Sequence, residues 1–191
     1  MDGDTRDTIR AVALELFSDK GFEKTSLREI AERVGLTKAS LYYHYSSKQS
    51  LLLAVVDPVI TGWRRIVDDT ARLEHTPDTV RQVVDQCLDV FLRNRSVAGI
   101  FQRDAAGVAV VLGTLWDDMV DLGKRLVAWL AGPSPTSADR LRAVAAMEVL
   151  GAVLSSATYQ DDGEFTEEEM RAVLSQAAMD VLRLTATPSR C

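Results

Sequence analysis

The sequence predicts an all-α protein of two parts: an N-terminal three-helix domain with a helix-turn-helix over residues 1–46, and a larger helical domain over residues 47–191. The first observation behind this fold class is the helical spacing of apolar residues along most of the chain, with no strand-like alternation. The second is a succession of capping residues and glycine stops that divides this spacing into separate helices. The third is a pair of short helices near the N-terminus, joined by a tight turn.

The first helix is predicted to run from about Asp4 to Lys20 and to end at Gly21. Glycine adopts the left-handed conformation that closes many helices without the steric cost that other residues incur. One face of this helix carries an apolar stripe that we expect to be buried, formed by Ile9, Val12, Ala13, Leu16 and Phe17.

Residues 26–45 form the two short helices. Ser26 and Glu29 have the spacing of a capping box, in which each side chain binds the backbone NH of the other residue. Gly35 supplies a left-handed stop, and Thr37 is placed to cap the helix that follows. Two helices across a glycine-containing turn are typical of the helix-turn-helix, whose second helix enters the DNA major groove.

The second short helix has an unusual outward face. Leu41 and Tyr45 share the side that packs inward, which leaves Tyr42 and Tyr43 pointing outward. Outward tyrosines leave large rings in water, whereas on DNA a ring can lie on a sugar or a thymine methyl while its hydroxyl donates to a phosphate. From these residues alone, a simpler interpretation stays open, in which the tyrosines only cover the core of a small domain.

Charge is distributed unevenly along the chain. The net charge of −6 arises wholly after residue 50, where 14 basic side chains face 20 acidic ones. Residues 1–50 carry eight of each and are neutral overall. Because an acidic protein does not coat nucleic acid nonspecifically, the composition favours binding at a defined DNA site.

The motifs of residues 25–52 closely resemble the tetracycline-repressor (TetR) family of bacterial regulators. The resemblance is carried by the segments 25–31 and 34–45, and by Ser47-Lys48 with the leucine pair that follows. It covers about the first quarter of the chain. The departures from the family pattern are mild: Leu36 for Val, Thr37 for Ser, Ala39 for Gly and Tyr45 for Phe.

This resemblance implies a homodimeric transcription regulator, in most family members a repressor, that binds a palindromic double-stranded DNA operator and responds to a small-molecule effector. We expect Lys38, Ser40 and Tyr43 to read bases, and Tyr42 and His44 to hold phosphates. Helix N-termini favour anions, so Thr25, Arg28 and Lys48 are expected at the phosphate backbone. The full set of expected DNA-binding residues is Thr25, Ser26, Arg28, Thr37, Lys38, Ala39, Ser40, Tyr42, Tyr43, His44 and Lys48.

Capping residues and helix breakers predict the helices that follow. A fourth helix is expected after Ser46, capped by Ser46 together with Gln49, and Pro58 inside it predicts either a kink or a division. Thr76-Pro77 is typical of a helix start and opens a helix to about Arg93. Further on we expect an apolar stretch over 96–110 with breaks near Gly107 and Gly113, a helix over 112–130 and a loop over 132–135.

The last two predicted helices carry a second signal. The helix over 141–156 is apolar nearly all round, which is typical of a helix buried on all sides. The final helix begins with a capping box, Thr166 with Glu169, and shows one apolar stripe. Packing within one subunit is the simpler interpretation, but we prefer a two-fold dimer, whose symmetry matches a palindromic operator. The expected interface residues are Ala145, Gly151, Ala152, Ser155, Leu174, Ala177, Ala178 and Val181.

Large, soft side chains in the middle of the chain are candidates for the effector cavity that the resemblance implies. Aromatic and Met-rich linings with few polar groups are typical of apolar ligand pockets, although hydrophobic cores are similar. Control by a protein partner, or by no ligand at all, therefore stays open. The candidate residues for a largely apolar effector are Trp63, Phe91, Phe101, Gln102, Trp116, Met119 and Met147.

Other function classes find little support. The histidines, His44 and His75, lie far apart, and no metal-ligand spacing, phosphate loop or acid–base pair occurs, so we expect no enzyme, no metal and no cofactor. Cys87 and Cys191 imply no disulfide framework and fit a reducing compartment. No basic-then-apolar leader opens the chain, and the longest uncharged apolar run, 105–116, is too short to span a bilayer. We therefore expect a cytoplasmic protein.

Overall fold

The computed structural model describes residues 2–155 and 166–183, without the side chains of residues 2, 3, 102, 104 and 153–155. Within these ranges the chain folds into α-helices and contains no strand, so the all-α prediction is confirmed. The helices are α1 (Asp2–Lys20), α2 (Leu27–Val34), α3 (Lys38–His44), α4 (Lys48–Thr70), α5 (Pro77–Arg93), α6 (Arg95–Leu112), α7 (Thr114–Leu130), α8 (Ser137–Ser155) and α9 (Glu167–Leu182).

The chain divides into two compact units that interleave along the sequence. The first unit takes in residues 2–61 and 94–117, and the second takes in residues 62–93 and the described residues from 118 onward. Helix α6 therefore packs in one unit with α1–α3, although the whole of α5 separates them in sequence. The functional boundary expected at residue 46 stays a prediction.

The core of the first unit is formed by α1–α3, α6 and the part of α4 before residue 62. On α1, Ile9 and Phe17 are fully buried, as the apolar stripe predicts, whereas Val12 is half-buried. Phe17 meets Phe22 edge-on, with ring centroids 5.3 Å apart. The other large, fully buried side chains of this core are Leu16, Ile30, Leu41, Leu51, Leu52, Ile60 and Ile100.

Helix α6 is fastened to the C-terminal end of α1. The Ser18 hydroxyl donates to the carbonyl of Ser96 at 2.7 Å, and the Arg103 guanidinium donates to the carbonyl of Ser18. The last carbonyls of a helix lack intrahelical partners, so Arg103 satisfies one of them and complements the helix dipole. Gly99 lies between these two bonds, where a Cβ atom would approach Ser18 Cβ to 3.2 Å. The absence of a side chain at Gly99 thus permits the close approach of the two helices.

Two boundary predictions were wrong. The cap of α4 is Ser47, not Ser46: its hydroxyl accepts from the NH of Ser50 at 2.9 Å, and the Ser50 hydroxyl accepts from the NH of Ser47 at 3.0 Å, which leaves Gln49 without a capping role. Both adjacent serines offer a suitable hydroxyl, and only the position of the first helical turn selects between them. Helix α6 also runs through Gly107, where we expected a break, and ends at Gly113 with φ +52°.

Pro58 does not divide α4, which continues from Lys48 to Thr70. A proline removes one backbone hydrogen bond from a helix interior. Pro58 is exposed, so water can reach this side of the helix and satisfy the carbonyl that loses its partner.

In the second unit, α5 packs against α8 and α9. Polar contacts reinforce the pairing of α5 with α9. The buried Ser175 donates to Asp85 at 2.5 Å, and Arg171 pairs with Asp89. Cys87 is fully buried among the valines of α5, and burial raises the pKa of its thiol to about 12. Cys87 is therefore a neutral core residue and not a reactive thiolate.

Helix α8 begins at Ser137, four residues before its predicted start, and is not buried on all sides within the single chain. Ala143 and Leu150 are fully buried, whereas Leu141 and Val144 are 70% and 44% exposed. The capping box of α9 is confirmed, because Thr166 and Glu169 bind each other's backbone NH groups. Among the described residues, no helix is long and apolar enough to cross a membrane.

The close approach at Gly99 generates a stability prediction. We expect Gly99→Val to lower the free energy of unfolding by about 1–3 kcal/mol, because the new side chain overlaps Ser18 in a packed contact. The matched control is Gly123→Val in α7, where a Cβ meets no described atom within 4 Å. Urea unfolding followed by circular dichroism measures both variants. Equal midpoints would show that the α1–α6 contact relaxes at no cost.

Candidate nucleic-acid interface

Local hydrogen bonds cap α2 at both of its ends. The Ser26 hydroxyl accepts from the NH of Glu29 at 3.1 Å and caps α2 as predicted. The Glu29 carboxylate pairs with Lys20, and this hydrogen bond is the main reason that its pKa is lowered, with a smaller contribution from the NH of Ser26. At the other end of α2, Gly35 is left-handed with φ +78°, and the NH of Leu36 donates to Ala31 at 2.8 Å.

Helix α3 begins at its predicted cap. The Thr37 hydroxyl accepts from the NH of Ser40 at 3.1 Å and lies 2.9 Å from the Ser40 hydroxyl. Leu41 is fully buried and Tyr45 is 8% exposed, so the predicted inward side of the helix is confirmed. These two anchors determine which side of α3 faces outward.

The outer face of α3 consists of Lys38, Ala39, Ser40, Tyr42 and Tyr43, all of them exposed. Tyr43 is 81% exposed and Tyr42 44%. The interpretation in which the tyrosines cover a core does not fit Tyr43, because a ring so exposed buries little. Small side chains at Ala39 and Ser40 allow another molecule to approach the helix backbone closely.

Lys38 is the cation of this face. Its ammonium lies 5.6 Å from the centroid of the Tyr42 ring, within the range of a cation–π contact. Other basic groups nearby are paired with carboxylates: Arg28 with Glu32 at 2.7 Å, and Arg33 with Glu15. In the part of the chain that the structure describes, Lys38 has no carboxylate partner, so its charge is available to an anionic ligand.

The expectation that the Thr25 side chain contacts DNA is corrected by its burial. Thr25 is only 2% exposed, and its hydroxyl donates to the carbonyls of Gly21 at 2.9 Å and Leu16 at 3.2 Å. Its NH donates to the carbonyl of Phe22. Thr25 therefore closes the α1–α2 turn, because the last carbonyls of α1 need partners outside the helix.

Lys48 also differs from its expected role. Its ammonium donates to the carbonyls of Phe22 at 2.9 Å and Glu23 at 3.2 Å, and lies 4.3 Å from the centroid of the Phe22 ring. Two of its three hydrogens are thus used inside the first unit. In this structure Lys48 connects the start of α4 to the α1–α2 turn. At most one hydrogen of its ammonium group remains for the expected phosphate contact.

Sequence reasoning missed Arg6. Its guanidinium donates to the carbonyl of His44 at 3.0 Å and lies 5.5 Å from the centroid of the Tyr45 ring. A cation at the carbonyl end of α3 complements the helix dipole. The sequence contains only a weak signal for this contact, since it joins residues 38 positions apart.

The effector candidates form two separate aromatic pairs. Trp63 and Phe91 meet edge-on at 4.9 Å within the second unit, and Phe101 and Trp116 lie 6.1 Å apart within the first. All four are half-buried, as are Met119 and Met147, while the side chain of Gln102 lies outside the described residues.

Most interface candidates retain surface on the isolated subunit. Ala152 is exposed, and Ala145, Gly151, Leu174, Ala177 and Val181 are half-buried. Ala178 is fully buried by its own subunit, so its side chain has no surface to offer a partner and it is removed from the expected interface. Ser155 lies outside the described side chains. Within the described ranges, no group of three or more His, Cys, Asp or Glu residues is placed to hold a metal ion.

The helix-turn-helix lies in the segment of the chain that matches a known protein family in sequence. Residues 9–55 match the family of bacterial regulatory proteins described as the tetR family. The biofilm operon icaADBC negative transcriptional regulator IcaR of Staphylococcus aureus (strain Newman) is 50% identical over 46 residues, which are 24% of this chain and 25% of that protein. The transcriptional regulator RutR of Escherichia coli O157:H7 is 28% identical over 128 residues, 65% of this chain and 59% of RutR. The match thus spans about a quarter of IcaR and under two thirds of RutR.

Solved structures extend the likeness to the whole fold. The ketosteroid transcriptional regulator KstR2 of Mycobacterium tuberculosis superposes with a TM-score of 0.71 at 18% identity, covering 93% of this chain and 92% of KstR2. A transcriptional regulator of Aquifex aeolicus VF5 superposes with a TM-score of 0.69 at 22% identity, covering 95% and 99% of the two chains. At these identities the likeness concerns the fold alone.

The contacts of Lys48 generate a prediction about the stability of the fold. We expect Lys48→Met to lower the free energy of unfolding by about 1–2 kcal/mol, because the methionine stem still packs on Phe22 but the charged hydrogen bonds are lost. Lys24→Met, at an exposed lysine of the same unit, is the control and should leave stability unchanged. Thermal melting reports the difference. If the two variants melt alike, the Lys48 tie contributes nothing to the fold.

Proposed function

We propose that the chain is a sequence-specific DNA-binding transcription regulator of the tetR family of bacterial regulatory proteins, whose pattern its residues 9–55 match. The observation that carries this proposal is the outer face of α3. A short, capped helix offers two small residues, two exposed tyrosines and a cation that has no carboxylate partner among the described residues. This combination of charge, close backbone approach and flat rings suits the DNA major groove.

Within this face, Lys38, Ser40 and Tyr43 read bases. The Lys38 ammonium reaches guanine O6 or N7, and the Ser40 hydroxyl donates or accepts at a base edge while keeping its contact with Thr37. Tyr43, whose side chain is 81% exposed, contacts a thymine methyl. Tyr42 and His44 hold phosphates, together with Ser26, Thr37 and Arg28; for Arg28, a phosphate takes the place of the Glu32 carboxylate.

Selection of bound duplexes from a random pool tests the proposal. We expect a palindromic sequence, since a two-fold dimer presents two copies of α3 about one helical turn of DNA apart, or a multiple of it. Lys38→Ala should relax the preference at one position in each half of that sequence, at a cost of about 1–3 kcal/mol per contact. Tyr42→Phe serves as the comparison and should weaken all sequences alike. A wild-type protein that enriches no sequence would refute the proposed function.

The same proposal includes a homodimer formed by α8 and α9. Support comes from Leu141, Val144 and Val173, apolar side chains that are 44–70% exposed on these helices in the single chain. Gly151 and Ala177 lie half-buried on the same two helices and permit the close approach of a second helix pair. Joining two such surfaces removes this apolar area from water.

Gly151→Arg tests the dimer. A Cβ at Gly151 meets no described atom within 4 Å, so the arginine fits the isolated subunit. In a packed interface it places an unpaired charge away from water, at a cost of several kcal/mol. We expect a monomer in sedimentation and weaker DNA binding. The control is Gly123→Arg, at a helical glycine with equally open surroundings, which should stay dimeric. A dimer that survives Gly151→Arg places the interface elsewhere.

For regulation, we propose a small, largely apolar effector bound beside Trp63 and Phe91, the half-buried aromatic pair of the second unit, and repression as the default state without effector. The link is α4, which carries Trp63 on its later turns and the Lys48 tie at its start. An effector that favours one position of α4 shifts α3 only if its affinity differs between the two states. A thermal-shift screen with lipophilic compounds identifies such a ligand, because binding to the native state raises the melting temperature.

A further inference from the structure

A cleft of about 510 Å³ opens beside the C-terminal end of α3. Its walls are the N-terminal half of α1, residues 44–46 and the first turns of α4. Arg6 and Arg10 both line it, because residues four apart lie on the same side of a helix. None of the residues expected to bind DNA, apart from His44, belongs to this cleft.

An ion pair and a second arginine supply the charges of the cleft. Arg10 NH2 lies 2.5 Å from Asp7 Oδ1, in a pair whose side chains are 38% and 67% exposed. An exposed ion pair is weak, so another anion can replace the carboxylate. Arg6 uses one of its five hydrogens for the carbonyl of His44, and no other acceptor among the described residues engages the rest, so they can bind a second acceptor.

Tyr45 lines the same cleft as the Asp7–Arg10 pair and Arg6, and the Arg6 guanidinium lies 5.5 Å from the centroid of its ring. Burial is the main cause that raises the pKa of the Tyr45 hydroxyl, while Arg10 and Arg6 act to lower it and Asp7 acts to raise it. Both guanidinium groups therefore border the cleft beside Tyr45. Arginine pairs there can bind a tetrahedral oxyanion such as phosphate through two parallel hydrogen bonds.

The cleft adjoins the outer face of α3. His44 lines the cleft, and its ring meets the Tyr43 ring edge-on with centroids 5.3 Å apart. Tyr43 is 81% exposed on that face. A duplex placed against the outer face of α3 thus continues past His44 towards Arg6 and Arg10.

We propose that this cleft binds a backbone phosphate of the DNA through Arg10 and Arg6, and that the Asp7 carboxylate takes the place of this phosphate in the free protein. On binding, Arg10 exchanges Asp7 for the phosphate, and Asp7 then lies close to an anion. Asp7 consequently weakens the complex. This inference rests on the proposed DNA-binding function and adds to it a contact from α1, outside the helix-turn-helix.

Two substitutions test the site in opposite directions. Arg10→Gln should weaken binding to the selected operator and to random duplex alike, about eightfold at 0.1 M salt, and should flatten the plot of log affinity against log salt by about 0.9. Asp7→Asn should strengthen binding severalfold at 0.1 M salt and lose this advantage at high salt, where charges are screened. Neither change should alter which bases are preferred. Fluorescence anisotropy on labelled duplexes measures all of these quantities.

The matched control is the ion pair of Arg33 with Glu15, which also joins α1 to a basic side chain but lies outside the cleft. Glu15 is about 12 Å further along α1 than Asp7, given a rise of 1.5 Å per residue. Arg33→Gln and Glu15→Gln make the same changes of net charge, and we expect affinity changes of less than twofold.

Three results decide the inference. A gain for Asp7→Asn that exceeds the gain for Glu15→Gln supports it, and a folding defect cannot produce such a gain. Equal effects of the two pairs, or weaker binding by Asp7→Asn, overturn it. A wild-type protein that selects no DNA sequence refutes the proposed function instead, so the two failures are distinguishable.

Discussion

The orientation of α3 depends on the burial of Leu41 and Tyr45. A helix of seven residues, Lys38–His44, is not stable on its own in water, because its few hydrogen bonds do not offset the conformational entropy lost in forming the first turn. It persists here because Leu41 is fully buried and because Thr37 caps its start. Arg6 adds a cation at its end. The outer face of α3 is therefore oriented by contacts on the inward side of the helix and at its two ends.

This separation of tasks explains how the outer face can carry residues that are poor for stability. Tyr43 is 81% exposed and gains little from packing. The Lys38 ammonium contacts the ring of Tyr42, on the same exposed face. Around them, polar groups are used for internal ties: Thr25 closes the α1–α2 turn and Lys48 holds the start of α4. The outward-facing residues and the residues that make internal contacts alternate along the sequence. The first set is exposed, whereas the second is buried or half-buried.

Local signals were sufficient to predict the caps and stops of the short helices. Ser26, Gly35 and Thr37 act within a few residues of themselves, so their roles follow from spacing alone. At the candidate site, the errors concern choices that depend on tertiary contacts. Lys48 was expected at a phosphate because a lysine at a helix start suits an anion, but the carbonyls of Phe22 and Glu23 are brought to it only by folding. The packing of α6 against α1 depends on Ser18, Gly99 and Arg103, whose pairing has no signature in sequence. The assignment of particular bases and phosphates to the side chains of α3 stays a prediction.

The interleaving of the first unit has a consequence for biosynthesis. Because residues 94–117 belong to the same unit as residues 2–61, a nascent chain that has exposed only α1–α4 still lacks the helix that binds the end of α1. Contacts between Ser18 and Arg103 span 85 positions, and such distant contacts form later than local ones. At synthesis rates of about 5–20 residues per second, several seconds separate the emergence of α3 from that of α6. During that interval the surface of α1 that packs against α6 remains in contact with water, and transiently exposed surface of this kind promotes aggregation.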